Sequence, residues 1–203
     1  MKLLVSEFNP SSCIHVTTHV NSFTLVASSV SLEIGVLLGS QSESHFNFAR
    51  QMLISLINKL KIGEQDTRVG VVVYGKDASL RILLGQYNLR GVLNKAIERL
   101  PYPGSGLRLD KALEYIETLF RNGYVDVPKT LIIFTDRRPD DASLLLAAKA
   151  AGKGISIVTI IMGEAARNPG TSPGGGLVVL ITNPEDSGSN NVIDILVDGV
   201  YPG

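Results

Sequence analysis

The sequence of 203 residues has one cysteine, no tryptophan and no net charge. Because Cys13 is the single cysteine, a disulfide bond within the chain is excluded. Its 19 basic and 19 acidic side chains cancel, so electrostatics give no reason to expect a nucleic acid or an anionic membrane as partner. No apolar run approaches 18 residues, and we therefore predict no membrane insertion. The length fits one α/β domain with a substantial core.

The amino-terminal residues resemble a secretion signal only in their first five positions. The run Met1–Val5 is basic and apolar, but Glu7 and Pro10 interrupt it before an adequate apolar region forms. No clear signal peptide is therefore predicted, and no Asn-x-Ser/Thr acceptor with a non-proline centre occurs. We expect residues 1–29 to be an extended arm and residues 30–203 to be the folded domain.

Short apolar runs alternate with amphipathic segments along the domain. Strands are predicted at 32–38, 67–74, 78–84, 130–136, 155–161 and 177–181. Helices are predicted at 46–60, 88–100, 109–120, 143–151 and 191–200, with Asn88 as the cap of the second helix. The strands are apolar on both faces, which predicts an α/β fold: a doubly wound, mostly parallel sheet with one antiparallel edge strand and helices on both faces.

Two segments depart from this alternation. The stretch 168–176 is rich in proline and glycine and is predicted to be an irregular connector before the last strand. Within the arm, we expect Phe23–Val26 to add to an edge of the sheet.

Polar side chains follow two of the predicted strands. Ser40 and Ser42 come after the first strand, and Asp136 ends a later one. In open α/β sheets the carboxyl ends of the strands share one edge, where ligands bind. We therefore expect these three side chains to lie near one another.

On these residues the chain resembles the von Willebrand factor type A domain, over roughly residues 30–200. This family includes integrin inserted domains, matrilins and the globular repeats of type VI collagen. Its ion ligands come from an Asp-x-Ser-x-Ser run, a threonine in a glycine-rich loop and the aspartate of a Thr-Asp-Gly turn. Here Leu38 and Leu107 stand at the leading aspartate and the threonine, while Asp136 matches and is followed by Arg137.

The resemblance therefore implies a degenerate metal site. Ser40, Ser42 and Asp136 together supply one negative charge and two hydroxyl groups, whereas Mg²⁺ takes about six oxygens. We expect no metal or only weak binding of Mg²⁺ or Mn²⁺. In its place, Arg108, Arg137, Arg138 and His45 are predicted to bind an acidic side chain of a partner through charge-assisted hydrogen bonds.

Enzyme patterns are weak in this chain. No phosphate-binding Gly-x-x-x-x-Gly-Lys-Ser/Thr run occurs, and Gly104–Gly106 lacks the third glycine of a dinucleotide loop. Asp140 and Asp141 have no partnered nucleophile or base, and they are better explained as residues at the start of the next helix. We predict that the protein is not an enzyme.

The resemblance implies a secreted protein-binding or adhesion module of an extracellular matrix protein, with a matrix or cell-surface protein as partner. Two alternatives stay open. The domain could be a structural spacer that self-associates in a matrix array through its helices or arm, or it could be an intracellular scaffold. Cys13 is expected to be an ordinary thiol on the arm, or alternatively a link to another chain, since matrix members often carry cysteines beside the domain.

Overall fold

The computed structural model describes residues 14–17, 31–183 and 189–200. Its strands are β1 (Ile14–Thr17), β2 (Leu32–Leu38), β3 (Thr67–Tyr74), β4 (Ala78–Ile82), β5 (Lys129–Thr135), β6 (Ile155–Met162) and β7 (Leu177–Ile181). Its helices are α1 (Glu43–Lys59), α2 (Arg90–Glu98), α3 (Leu109–Leu113), α4 (Ile116–Leu119), α5 (Asp141–Ala151), α6 (Glu164–Arg167) and α7 (Ser189–Val200). The predicted alternation of strands and helices is confirmed.

The strands form one sheet in the order β1-β7-β6-β5-β2-β3-β4. Strands β2, β3, β5, β6 and β7 run parallel, and β4 pairs with β3 antiparallel at one edge. The predicted fold class is confirmed. In addition, β1 pairs antiparallel with β7 at the opposite edge. The expected edge segment Phe23–Val26 lies outside the described residues.

Helices cover both faces of the sheet, and each face has its own apolar core. All seven residues of β2 are buried, with Ile34 and Val36 in the core beneath α1, α2 and α7 and Leu37 in the core beneath α3, α4 and α5. Full burial of one such side chain contributes about 1.5–3 kcal/mol. Gly35 belongs to the second face, where an added Cβ would lie 2.6 Å from Leu119 Cδ2, so glycine lets α4 approach closely.

Helix starts differ from the predictions in four places, and two of these are small: α5 and α7 each start two residues earlier than predicted. The predicted cap Asn88 is wrong: α2 starts at Arg90 after Leu89, which makes no side-chain capping bond. Helix α1 starts at Glu43, three residues earlier than predicted, because the Ser42 side chain accepts a hydrogen bond from the His45 N–H. Ser42 is therefore part of the helix start as well as of the loop.

The single helix predicted at 109–120 is two short helices. The Tyr115 N–H donates to Ala112 O, a tighter turn than that of an α-helix, and this separates α3 from α4. The apolar periodicity was correct, because Leu113, Ile116 and Leu119 are all buried. The irregular segment 168–176 is as predicted, apart from a three-residue 3-10 turn at Pro173–Gly175.

Strand β4 is the predicted antiparallel edge strand, and it ends at Ile82, two residues earlier than predicted. The register shifts between Val71 and Val72, which marks an irregularity or β-bulge in this pair. Arg81 is exposed on β4.

A buried ion network closes the amino-terminal edge of the sheet. Glu33 on β2 is paired in register with Arg68 on β3 and with Lys129 on β5. The Arg68 guanidinium donates to Glu33 Oε1, and Lys129 Nζ lies 3.5 Å from Glu33 Oε2. The Arg68 guanidinium also lies 3.8 Å from the centre of the Tyr124 ring. The backbone N–H of Tyr124 donates to Glu33 Oε1 at 2.7 Å. The network ties three strands to the turn before β5.

Candidate functional site

The parallel strands β2 and β5 carry the predicted site residues to one edge. Leu38 and Phe134 are register partners near the carboxyl ends of these strands. Ser40 and Asp136 each follow two residues later, so the chain delivers both to the same place. Ser40 is fully buried and the Asp136 side chain is only 5% exposed, so both lie beneath the surface of the edge.

Asp136 accepts hydrogen bonds from the loop between β2 and α1. The Ser40 hydroxyl donates to Oδ2 at 2.5 Å, and the Gln41 N–H donates to Oδ1 at 2.8 Å. Ser40 Oγ in turn accepts from the Ser42 N–H at 3.2 Å. One carboxylate therefore connects the end of β5 to the start of α1, and the predicted trio Ser40, Ser42 and Asp136 is brought together.

His45 completes this cluster from the first turn of α1. Its Nδ1 lies 3.0 Å from Asp136 Oδ2, and its backbone N–H donates to Ser42 Oγ at 3.2 Å. The ring lies against Gly163, the residue after β6, which has φ of +64°. A Cβ at that position would be 2.7 Å from His45 Cε1. Glycine thus provides both the left-handed backbone and the space for the imidazole.

Two tyrosine hydroxyls donate hydrogen bonds to backbone carbonyls beside the cluster. The Tyr74 hydroxyl, at the end of β3, donates to Phe134 O at 2.7 Å, and burial raises the pKa of Tyr74 well above its ordinary value. The Tyr102 hydroxyl donates to Gln41 O at 2.6 Å. Burial also raises the pKa of Tyr102, and the negative charges of Asp136 and Glu43 add to the effect. These hydroxyls fix the backbone on both sides of the site.

The residues at this edge supply only part of the oxygen ligands that a divalent cation takes. Leu38 is fully buried and Leu107 is 5% exposed, and each belongs to an apolar core rather than to the loop cluster. The oxygens of Ser40 and Ser42 already accept backbone hydrogen bonds, and Asp136 supplies one negative charge. Across the described residues, no group of three or more His, Cys, Asp or Glu side chains could hold a metal ion. Ser40, Ser42 and Asp136 therefore offer three of the about six oxygens that Mg²⁺ takes, and water would have to supply the rest.

Arg108 lies at the same edge but is already paired. Its backbone N–H donates to Gly75 O, and its guanidinium donates to both oxygens of Asp110 at 2.9 and 2.6 Å. These hydrogen bonds hold the pKa of Asp110 below its ordinary value and raise that of Arg108. A partner would have to compete with Asp110 for this guanidinium.

Arg137 and Arg138 follow Asp136 directly and are exposed. Within residues 31–183, neither side chain forms an ion pair. The backbone of Arg137 is fixed, because Thr135 Oγ1 accepts from its N–H at 3.1 Å and donates to its carbonyl at 3.0 Å. The Arg138 guanidinium lies against Gly170 in the irregular segment after α6. The turn therefore presents two exposed cations side by side, and the backbone of Arg137 is held by Thr135.

The acidic residues after these arginines start α5, as predicted. Asp140 caps the helix by accepting from the Ser143 N–H at 2.8 Å. Hydrogen bonds from Ser143 hold the pKa of Asp140 below its ordinary value, and the charge of Arg137 adds to this.

Several residues of the site were not identified from the sequence. These are the backbone of Gln41, the two tyrosine hydroxyls and Gly163. Tyr74 and Gly163 do carry a usable signal, since each stands at or just after the carboxyl end of a strand. Tyr102 carries none, because it lies in the connection 99–108, whose path is set by tertiary packing.

The comparisons with known proteins agree with this architecture. The family model described as the von Willebrand factor type A domain matches residues 36–170. The chain therefore belongs to the von Willebrand factor type A domain family. It is 30% identical to mouse vitrin over 175 residues, which is 84% of this chain and 26% of vitrin. It is also 30% identical to mouse matrilin-4 over 122 residues, or 57% of this chain and 20% of that protein.

A third relative is the human collagen alpha-5(VI) chain, 29% identical over 133 residues, which is 63% of this chain and 5% of the collagen. The chain thus spans about a quarter or less of each of these three relatives. The resemblance to the matrilin and type VI collagen branch is confirmed.

Solved structures show the same fold. Proximal thread matrix protein 1 from the mussel byssus superposes with a TM-score of 0.70 at 17% identity, covering 86% of this chain and 47% of that one. A second structure of that protein has a zinc-occupied MIDAS motif and superposes with a TM-score of 0.69, also at 17% identity, over 83% of this chain and 45% of that one.

Among the described helices of this chain, none is both long and apolar enough to span a membrane.

Proposed function

We propose that the domain is a non-enzymatic protein-binding module whose carboxyl edge binds an acidic side chain of its partner without a divalent ion. The observation that carries the proposal is the pair Arg137 and Arg138, exposed and without an ion pair in the described part of the chain. Arginine presents a planar fork that matches a carboxylate, and such charge-assisted hydrogen bonds are stronger than neutral ones.

The neighbouring contacts explain why these two arginines are favoured. Asp136 is directed inwards to Ser40 and His45, so its charge is used within the protein. Arg108 is held by Asp110 and contributes less to a partner's carboxylate. His45, at 28% exposure, lies on the rim of the same surface.

The test is binding of a fluorescent peptide with alternating glutamate and glycine residues, measured in a chelator to remove divalent ions. Reversal of both charges in R137E/R138E should weaken binding by about tenfold or more, because two charge-assisted contacts are lost. The matched control is R81E/R99E, which makes the same charge change at exposed positions elsewhere and should bind as the wild type does. Equal losses in both variants, or no loss in R137E/R138E, would reject the proposal.

We also propose that this module works in the extracellular matrix as part of a secreted protein, with a matrix or cell-surface protein as partner. Support comes from the sequence relatives, which include matrilin-4 and a collagen VI chain. Secretion of the full-length product from cultured cells is the measurement. Retention inside the cell would favour the intracellular scaffold instead.

Self-association in a matrix array is a second candidate. It is favoured by large apolar side chains that are exposed on the domain surface, among them Leu89 at 69% and Leu145 at 59%. Sedimentation velocity over a range of concentrations separates the two functions. Association that R137E/R138E leaves unchanged would favour the spacer, whereas a monomer at all concentrations would favour the binding module.

A further inference from the structure

We infer that His45 performs in this chain the structural role of a cation at Asp136, and that it thereby makes the carboxyl edge independent of divalent ions. The inference deepens the proposed ion-independent binding and rests on it. Of the ligands in the family's ion site, this chain keeps Ser40, Ser42 and Asp136, but two further oxygen ligands are replaced by buried leucines. An aspartate left alone at such a place needs another donor.

The geometry supplies that donor. A carboxylate only accepts hydrogen bonds, so the 3.0 Å contact requires the hydrogen on Nδ1 of His45, which donates it to Asp136 Oδ2. The same oxygen accepts from Ser40, while the other oxygen accepts from the Gln41 N–H. With its side chain 5% exposed, Asp136 offers little open surface. A Mg²⁺ ion would have to approach Oδ2 to about 2.1 Å, and the imidazole of His45 occupies space beside this oxygen.

The position of the imidazole is built by more than one element. His45 is carried by α1, whose start is capped by Ser42, and its ring fits against Gly163 at the end of β6. Its contact with Asp136 then reaches β5. One side chain thus joins α1, β5 and β6 at the place where an ion would join loops. Both the neutral and the charged imidazole can make this contact, provided that Nδ1 carries a hydrogen.

The experiment compares melting temperatures in a chelator with those in about 10 mM MgCl2 or MnCl2 for four proteins. These are the wild type, His45→Ala, His45→Asn and the double variant His45→Ala/Asp136→Asn. Alanine removes the donor and opens space beside Oδ2, whereas asparagine places an amide N–H close to the position of Nδ1. We expect only His45→Ala to respond to the ions. At about ten times the dissociation constant, linkage gives a rise in Tm of about 3–5 °C.

Each outcome has a defined meaning. A folded His45→Ala protein that ignores both ions, while the wild type also ignores them, overturns the role of His45 but leaves the proposed ion-independent function intact. A wild type that responds to the ions overturns both. An ion response in the double variant shows that binding does not involve Asp136, which also overturns the inference.

A measurement on the wild type keeps the inference testable if His45→Ala does not fold. Long-range proton–nitrogen NMR spectra of the histidine side chains at neutral pH report which ring nitrogen carries hydrogen, with His45→Asn used for assignment. We expect hydrogen on Nδ1 of His45 and no change of its signals in about 10 mM MgCl2. A His45 ring without hydrogen on Nδ1, or signals displaced by the ion, would overturn the inference.

Discussion

The amino and carboxyl ends of the parallel strands form two edges of the sheet. Each of these edges contains one buried carboxylate, but the two carboxylates have different partners. At the amino edge, Glu33 faces two permanent cations, Arg68 and Lys129. At the carboxyl edge, Asp136 is held by a hydroxyl, a backbone amide and the imidazole of His45. Each carboxylate connects elements that lie side by side, and each does so with different chemistry.

The difference shows which edge is committed to stability. At the amino edge, Glu33 is shared by two cations, and removal of this carboxylate would leave the buried Arg68 without its charge partner. The carboxyl edge instead keeps its cations, Arg137 and Arg138, on the outside. A partner can therefore contact the two arginines at the carboxyl edge, whereas the charged side chains at the amino edge are already paired with one another.

The largest expected effect comes from breaking the amino-edge network. Glu33→Ala leaves Arg68 and Lys129 without their carboxylate, and it should lower the free energy of unfolding by about 3–5 kcal/mol. Urea unfolding followed by circular dichroism measures this. The matched control is Glu117→Ala, which removes the exposed partner of Lys153 and should lower the free energy of unfolding far less, because water screens this ion pair. Similar losses for both variants would contradict a special role for the network.

A smaller effect is expected at the carboxyl edge. Asp136→Ala removes the acceptor of Ser40, Gln41 and His45 but leaves no fixed cation buried, so we expect a loss of about 2 kcal/mol. The same urea experiment applies. A loss as large as that of Glu33→Ala would mean that the two edges are equally structural, and would remove the distinction drawn between them.

The smallest effect concerns Tyr74, beneath the carboxyl edge. Tyr74→Phe deletes one hydroxyl and its bond to Phe134 O, which should cost about 1 kcal/mol at neutral pH. Burial raises the folded-state pKa of this phenol, so above the unfolded pKa of about 10 the unfolded chain loses the proton first. Stability from Tyr74 is thus complete below pH 10 and falls as pH rises, by up to about 1.4 kcal/mol per pH unit.

Urea midpoints between neutral pH and about pH 11 test this dependence. Tyr74→Phe should lose stability less steeply than the wild type over the alkaline range. Tyr87→Phe is the control, because it removes a tyrosine hydroxyl whose contact, with Gln86, is exposed. Parallel curves for the wild type and Tyr74→Phe would show that Tyr74 does not govern alkaline unfolding.

Much of the fold was predictable because the strands are long, apolar and regularly spaced. The β2 and β3 limits agree with the predictions, since both runs are buried on both faces and end at polar or glycine residues. Helix limits were harder. Asn88 has the right chemistry for a cap, yet α2 starts two residues later, because its position is fixed by packing of Leu93 and Ile97.

The site was predictable in its members but not in its contacts. Ser40 and Asp136 were identified from their positions after the carboxyl ends of predicted strands, and the resemblance to the family identified the two leucines. The sequence could not reveal that His45 contacts Asp136, because that distance depends on the helix start at Ser42 and on the space at Gly163. The roles of Arg137 and Arg138 stay predictions.

The amino-edge network had a signal that was not used. Glu33 and Arg68 are single charges at the second position of otherwise apolar strands, and parallel pairing places them side by side. A charge inside a buried strand requires a partner, so two such charges at equal positions predict a buried ion pair. Lys129, at the first position of β5, completes the set.

The irregular pairing between β3 and β4 has a consequence for solubility. An outer strand with free backbone groups can template the strand of another chain and so start fibril growth. The register shift at Val71 and Val72 twists this edge locally, and exposed Arg81 adds a charge that an incoming strand would have to bury. We expect these two features to hinder edge-to-edge aggregation of the native protein, above all where many copies are held at high concentration.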